Sequence, residues 1–350
     1  MFGTYRFLLA CMVVCGHTWY FLMGRLSWLG TYAVFGFYLL SGYLMTRVLH
    51  ETYGYGPRAL GRFLGNRALR VYPAYWGAMA VMVALLIAIP GVAGNQTAMV
   101  FLPGDAAQWL YNAVILGIDV DYIPRLVPPS WSLHLELVFY IMLGLGLSRT
   151  RTTTALWLAA SVAWTAYANL TDIPFGDRYA SVLGASLPFA AGAGVYYLPR
   201  LPTGTANRVG LLAAAAFFLH ALIAGLAYAS TSGVAFYASL ALTTIAVTVL
   251  RDARTQPRWR RLDTRLGDLA YPIFLLHMAV AYFVQWVFPA AATPPRLWFL
   301  TTMPPLLLAS VLLNRLVEKP IEKARVKVRG VEIGALKTAR SNEAAEAARG

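Results

Sequence analysis

Apolar runs close to 20 residues long recur along the chain, at roughly 2–23, 29–49, 72–90, 130–148, 153–170, 179–198, 208–228, 233–250, 266–288 and 297–317. As helices, runs of this length match the hydrocarbon thickness of a bilayer. The pattern therefore predicts an all-α polytopic integral membrane protein with about ten transmembrane helices and both termini on one side. The membrane domain spans 1–320. Residues 321–350 turn charged and rich in Ala, Glu and Arg, which predicts a tail too poor in apolar side chains to offset its ordering entropy.

Composition fits this class: 59% of residues are hydrophobic, 13% are charged, and mean hydropathy is +0.57. The arginines fix the expected orientation. One set of alternate loops collects Arg47, Arg58, Arg62, Arg67 and Arg70, then Arg149, Arg151, Arg200, Arg208 and the cluster Arg251–Arg265. The opposite loops hold only Arg25, Arg125, Arg178 and Arg296. The positive-inside rule then predicts cytoplasmic N- and C-termini. The net charge of +14 is thus a consequence of topology, suits attraction to anionic inner-leaflet lipid, and gives no reason to expect a nucleic-acid partner. The first segment has no small-residue cleavage site and reads as a retained helix. Its two cysteines, Cys11 and Cys15, lie at i, i+4, where a disulfide is sterically disfavoured and a packing role is expected.

Polar residues inside the apolar runs carry the candidate chemistry. Arg6 and His17 are eleven apart in the first run. In a helix that is three turns plus roughly 20°, so both lie on one face about 16 Å apart along the axis. Ionisable residues in a membrane helix normally face the bundle interior or a substrate path; the alternative is a snorkelling arginine and a packed histidine. Between the second and third runs, GPRALGRFLGNRALRVYPAYW reads as a basic amphipathic helix on the cytoplasmic surface, stopped by Pro73. It is either an interfacial anchor, or Arg67 and Arg70 bind a phosphate-bearing ligand. The fourth run opens PPSWSLHLELVFY. Glu136 there requires a partner, and His17 is the natural one because a carboxylate holds an imidazole in one tautomer. Ser130 or Ser132 caps the start of that helix in this reading. Asp268 and His277 lie in LGDLAYPIFLLHMAV, and His277, lacking a local partner, reads as a packed histidine. The longest outer loop, about 91–129, carries Asp105, Asp119, Asp121 and Trp109 and is the expected acceptor-facing element.

The motifs together resemble the membrane-bound acyltransferase-3 family, whose members O-acylate polysaccharides, lipopolysaccharide O-antigen, nodulation factors and macrolides. The likeness runs from about 2 to 320. It rests on the R-x10-H of Arg6 and His17, FYLLSGYL at 37–44, FLGNRALRVYPAYW at 63–76, SWSLHLELVFY at 130–140, and LGDLAYPIFLLH with the later VEKP at 317–320. It implies a ten-helix enzyme of the bacterial cytoplasmic (inner) membrane. The reaction moves an acyl group, acetyl above all, from cytosolic acyl-CoA to a hydroxyl of a carbohydrate or glycoconjugate acceptor, with no metal. By that likeness Arg6, His17 and Glu136 are catalytic, Arg67, Arg70 and Tyr72 bind the donor, and Ser41, Ser132, His134 and His277 are further candidates. Where family members often carry acidic residues, this chain has Phe35 and Leu137.

The chemistry suits such a role. Alcohol acylation needs a base near neutrality, which histidine supplies, and an acyl-histidine relay is a variant of the same site. No GxSxG, HExxH, CxxC or P-loop pattern occurs, so serine-hydrolase, zinc, thiol-redox and nucleotide-hydrolysis chemistry find no support. The reading from another class is a proton-coupled transporter or flippase using Arg6, His17 and Glu136, although no repeat between the halves supports it.

Overall fold

The computed structural model describes residues 1–18, 26, 28–92, 99–227, 233–254, 256–292 and 295–329. Among them there is no strand, and every predicted apolar run coincides with a helix. In chain order these are α1 (Phe2–Thr18), α2 (Trp28–Val48), α3 (Pro57–Ala88), α4 (Ala106–Val114), α5 (Ser130–Gly144), α6 (Arg151–Leu170), α7 (Phe175–Ala180), α8 (Val182–Tyr197), α9 (Thr203–Ala227), α10 (Val234–Leu250), α11 (Pro257–Val287), α12 (Pro295–Leu313) and α13 (Lys319–Arg329). Among the described residues, five spans are long and apolar enough to cross a membrane: Trp28–Tyr53, Pro57–Ala88, Thr203–Leu226, Pro257–Val287 and Leu297–Val328. The chain is an all-helical integral membrane protein.

Two boundaries differ from the sequence reading. Pro73 does not stop the basic helix, which runs on through the third apolar run as one helix, α3. Membrane helices tolerate an internal proline; Pro73 frees the Leu69 carbonyl four residues back, and α11 packs on this stretch, where Tyr271 donates to the nearby Val71 carbonyl at 3.0 Å. The 32 residues of α3 make a rod of about 48 Å, longer than a ~30 Å hydrocarbon core, so its arginine-bearing first turns extend past the apolar zone. The second concerns how far order extends into the tail, expected to be partly helical or disordered. Residues 321–329 are helical in α13, which rests on α3 and is tied to it by Asn66 donating to the Arg325 carbonyl at 2.8 Å. Residues 330–350 of the tail lie outside the described residues.

Close backbone contacts assemble the bundle core. A Cβ on Gly42 would stand 2.2 Å from the Phe189 carbonyl oxygen, and one on Gly192 1.9 Å from that of Leu39. Only glycine permits α2 and α8 to approach so closely, the small-residue packing that replaces hydrophobic drive inside lipid. The same device brings α1 to α11, where Gly3 and Gly267 meet backbone to backbone. There Asp263 of α11 acts as a cap for α1: it accepts from Thr4 N at 2.8 Å and Thr4 Oγ1 at 2.7 Å, and pairs with the Met1 amino group at 3.1 Å. Free N–H groups at a helix start are thereby satisfied from another helix.

Candidate active site

Docking α1 on α11 and α2 on α8 leaves a cavity of about 160 Å³ between α1, α2, α3, α5 and α11. One end is basic, lined by Arg6, Arg67 and Arg70. The wall is mostly apolar, from Val34, Phe37, Leu40, Leu44, Leu133 and Phe274, and is interrupted by Ser41, Ser132, Glu136, Tyr140 and Tyr271. Of the sequence candidates, Arg6, Arg67, Arg70, Glu136, Ser41 and Ser132 thus share one cavity.

Each basic group is held. Arg6 donates to the Gly267 carbonyl at 3.2 Å, at the glycine crossing itself. Arg67 is buried and donates to Asn66 Oδ1 at 2.7 Å. Arg70 pairs with Glu318 and lies over the Tyr271 ring, 5.2 Å from its centroid. Arg67 and Arg70, three apart on α3, present their guanidinium groups to the same space because residues at i and i+3 share a helix face.

Glu136 is not the partner of His17. Its Oε1 accepts from Ser41 Oγ at 2.6 Å and from Tyr140 OH at 2.5 Å, so the carboxylate is satisfied within the cavity wall. Neither Ser130 nor Ser132 caps α5; the Ser132 hydroxyl donates instead to the Pro129 carbonyl at 2.8 Å. Four candidates stand away from the cavity lining: Tyr72, His134, His17 and His277. Tyr72 donates to the Val114 carbonyl at 2.6 Å, beside Trp76, which donates to Ala113 at 2.8 Å, so both tether α4. His134 Nδ1 accepts from Gly117 N at 3.2 Å, and this ring supports the loop before α5. In that loop Asp105 caps α4 through Gln108 N, and the Asp119 side chain accepts from Asp121 N and Tyr122 N. Those carboxylates therefore organise the loop's own turns.

His17 is exposed near the other end of α1, and its partner is His277. Nδ1 of His17 lies 3.0 Å from the Val13 carbonyl and 3.1 Å from Nε2 of His277; Nδ1 of His277 lies 2.7 Å from the Phe274 carbonyl. His277, read as a packed or hydrogen-bonded histidine with no local partner, is fully buried and finds its partner on a distant helix. Phe274 belongs to both places: its side chain walls the cavity and its carbonyl holds His277.

Residues 4–315 match the family model described as "Acyl_transf_3: Acyltransferase domain". The chain belongs to this acyltransferase family. No curated protein and no solved structure matches it. An acyltransferase needs an acyl donor and an acceptor; among the described residues, the arginine-lined cavity and the exposed imidazole both lie along α1. Two residues of the acyltransferase's cavity, Tyr140 and Tyr271, and the Arg70 partner Glu318 escaped the sequence reading. Tyr140 carried a signal, standing four residues after Glu136 on the same helix face. Glu318 and Tyr271 lie within VEKP and LAYPIF, but their pairing with Arg70 joins positions 248 and about 200 residues apart. Among the described residues no group of His, Cys, Asp and Glu is placed to hold a metal, and both cysteines are free thiols.

Proposed function

We propose that this protein is a membrane-bound O-acyltransferase that moves an acyl group from cytosolic acyl-CoA to a hydroxyl of a carbohydrate-type acceptor. His17 is the general base, and the ten-helix, termini-inside arrangement sits in a bacterial cytoplasmic membrane. The observation that carries the reading is the pairing of a three-arginine cavity end with a histidine three helical turns along α1. Arg6, Arg67 and Arg70 suit the phosphates at the inner side, since charge-assisted and forked hydrogen bonds favour guanidinium for phosphate. The apolar middle of the cavity suits the thioester arm. A cavity near the ~150 Å³ that admits a benzene-sized guest favours a short acyl group such as acetyl. Glu136, held by Ser41 and Tyr140, fixes the polar side of the path. At the far end His17 removes the acceptor hydroxyl proton as the oxygen attacks the thioester carbonyl, and returns it to the departing CoA thiolate.

The test is acyl-CoA consumption by purified protein in nanodiscs, followed as free thiol release, across a panel of glycan and macrolide acceptors, with the His17→Ala variant alongside. His17-dependent release on adding one acceptor supports the reading. Acetyl-CoA that neither binds nor releases thiol, together with proton-driven solute movement in liposomes, would replace it with the transporter.

A further inference from the structure

The hydrogen-bond geometry around the two histidines settles which ring nitrogens carry a proton and which are bare. We infer that His277 is the positioning residue of His17, doing with a neutral imidazole what a carboxylate does for the histidine of a catalytic triad. A carbonyl oxygen only accepts, so the 2.7 Å contact between the Phe274 carbonyl and His277 Nδ1 requires the proton on Nδ1. The 3.0 Å contact between the Val13 carbonyl and His17 Nδ1 requires a proton there too. The 3.1 Å approach of His17 Nδ1 to His277 Nε2 is then attractive only if His277 Nε2 is bare. Two N–H groups facing each other at that distance would repel. The consequence falls on the remaining nitrogen: neutral His17, protonated on Nδ1, carries its lone pair on Nε2. His17 is exposed and His277 wholly buried, so the chain Phe274 O, His277, His17 runs from the interior to an accessible base.

This rests on the proposed acyl transfer and adds who orients the base. When His17 Nε2 takes the hydroxyl proton, the new positive charge is shared through Nδ1–H to the His277 lone pair. A carboxylate in that position would do the same, but it would add a buried anion needing its own partners. His277 needs one carbonyl, which its own helix supplies from three residues back. A single helix therefore provides both the orienter and the group that orients it.

Two measurements test it. In protein labelled with 15N-histidine, a scalar coupling across the hydrogen bond should join a protonated His17 nitrogen to a bare His277 nitrogen, and should vanish in His277→Gln. Absence of that coupling in the parent overturns the assignment, whether or not any acceptor has been found. Kinetically, His277→Leu should lower kcat by about 10²-fold, the scale of a lost acid–base contribution, with the acyl-CoA KM unchanged. His277→Gln, which restores an acceptor atom, should recover a substantial part of kcat. Equal losses in the Leu and Gln variants, or a loss confined to KM, would mean that His277 only packs. Thiol release absent from the parent with the coupling present would remove the proposed reaction and leave the histidine pair standing.

Discussion

At its Arg6 end, α1 is clamped on all sides: Asp263 caps its first turn, Gly3 and Gly267 bring two backbones into contact, and Arg6 donates to a carbonyl of the neighbouring helix. At its His17 end the helix has, among the described residues, His277 as a polar neighbour from another element, and the imidazole is exposed. The first region concentrates charge, with three arginines, Glu136 and Glu318 around one cavity. The second holds two imidazoles and two carbonyls. Binding a polyanion needs fixed cations whose own desolvation is offset by partners, which the clamped end supplies. Moving a proton needs a group with an open lone pair, which the unclamped end supplies. The eleven-residue spacing of Arg6 and His17 keeps these two kinds of chemistry apart while one rigid helix fixes their distance.

The sharpest way to break the comparison is His17→Ala. It should lower acyl transfer by about 10³-fold or more, as loss of a general base does, while protein level and acetyl-CoA binding stay near parental; turnover assays with a binding isotherm decide this. Next is Glu136→Gln. Ser41 and Tyr140 both donate to Oε1, which an amide oxygen can still accept, but the negative charge is lost, so kcat should fall by roughly 10- to 100-fold on the scale of a lost charged hydrogen bond, with donor binding retained. Replacing Arg67 and Arg70 together by Ala should act at the other end only, raising the acyl-CoA KM by roughly tenfold more than it lowers kcat. Unchanged kinetic constants would remove the donor assignment. The smallest effect is structural: Asp263→Ala should cost about 1 kcal/mol, the typical value of a helix cap, read as a lower thermal midpoint in detergent. Parental stability would show that the glycine contact alone seats α1.

Much of this architecture could be read from the chain because a bilayer leaves few choices: each apolar run near 20 residues became a helix, including the interrupted one that holds Arg6 and His17. Pro73 misled because its cost depends on neighbours, and Tyr271 stands 198 positions further on. The arginine cluster was legible from the i, i+3 spacing of Arg67 and Arg70. The partners were not. Glu136 was expected to reach for His17 because the two are chemically matched, yet Ser41 and Tyr140 were nearer in the fold. His277 looked partnerless because its partner is 260 residues away, a pairing that no local periodicity encodes. Tyr72 and Tyr140 show the limit from both sides: the first sits in a motif but tethers a loop, the second lay outside attention but grips the carboxylate.

The backbone contact of Gly3 with Gly267 also sets a timetable for synthesis. α1 leaves the ribosome well before α11, carrying a guanidinium and an imidazole, yet the carbonyl, the carboxylate and the histidine that receive it all belong to α11. Until translation has passed His277, α1 must wait beside the insertion machinery or among lipids with its polar face unmatched. A ribosome stalled before that point would leave α1 synthesised but unsettled, exposed to membrane quality control.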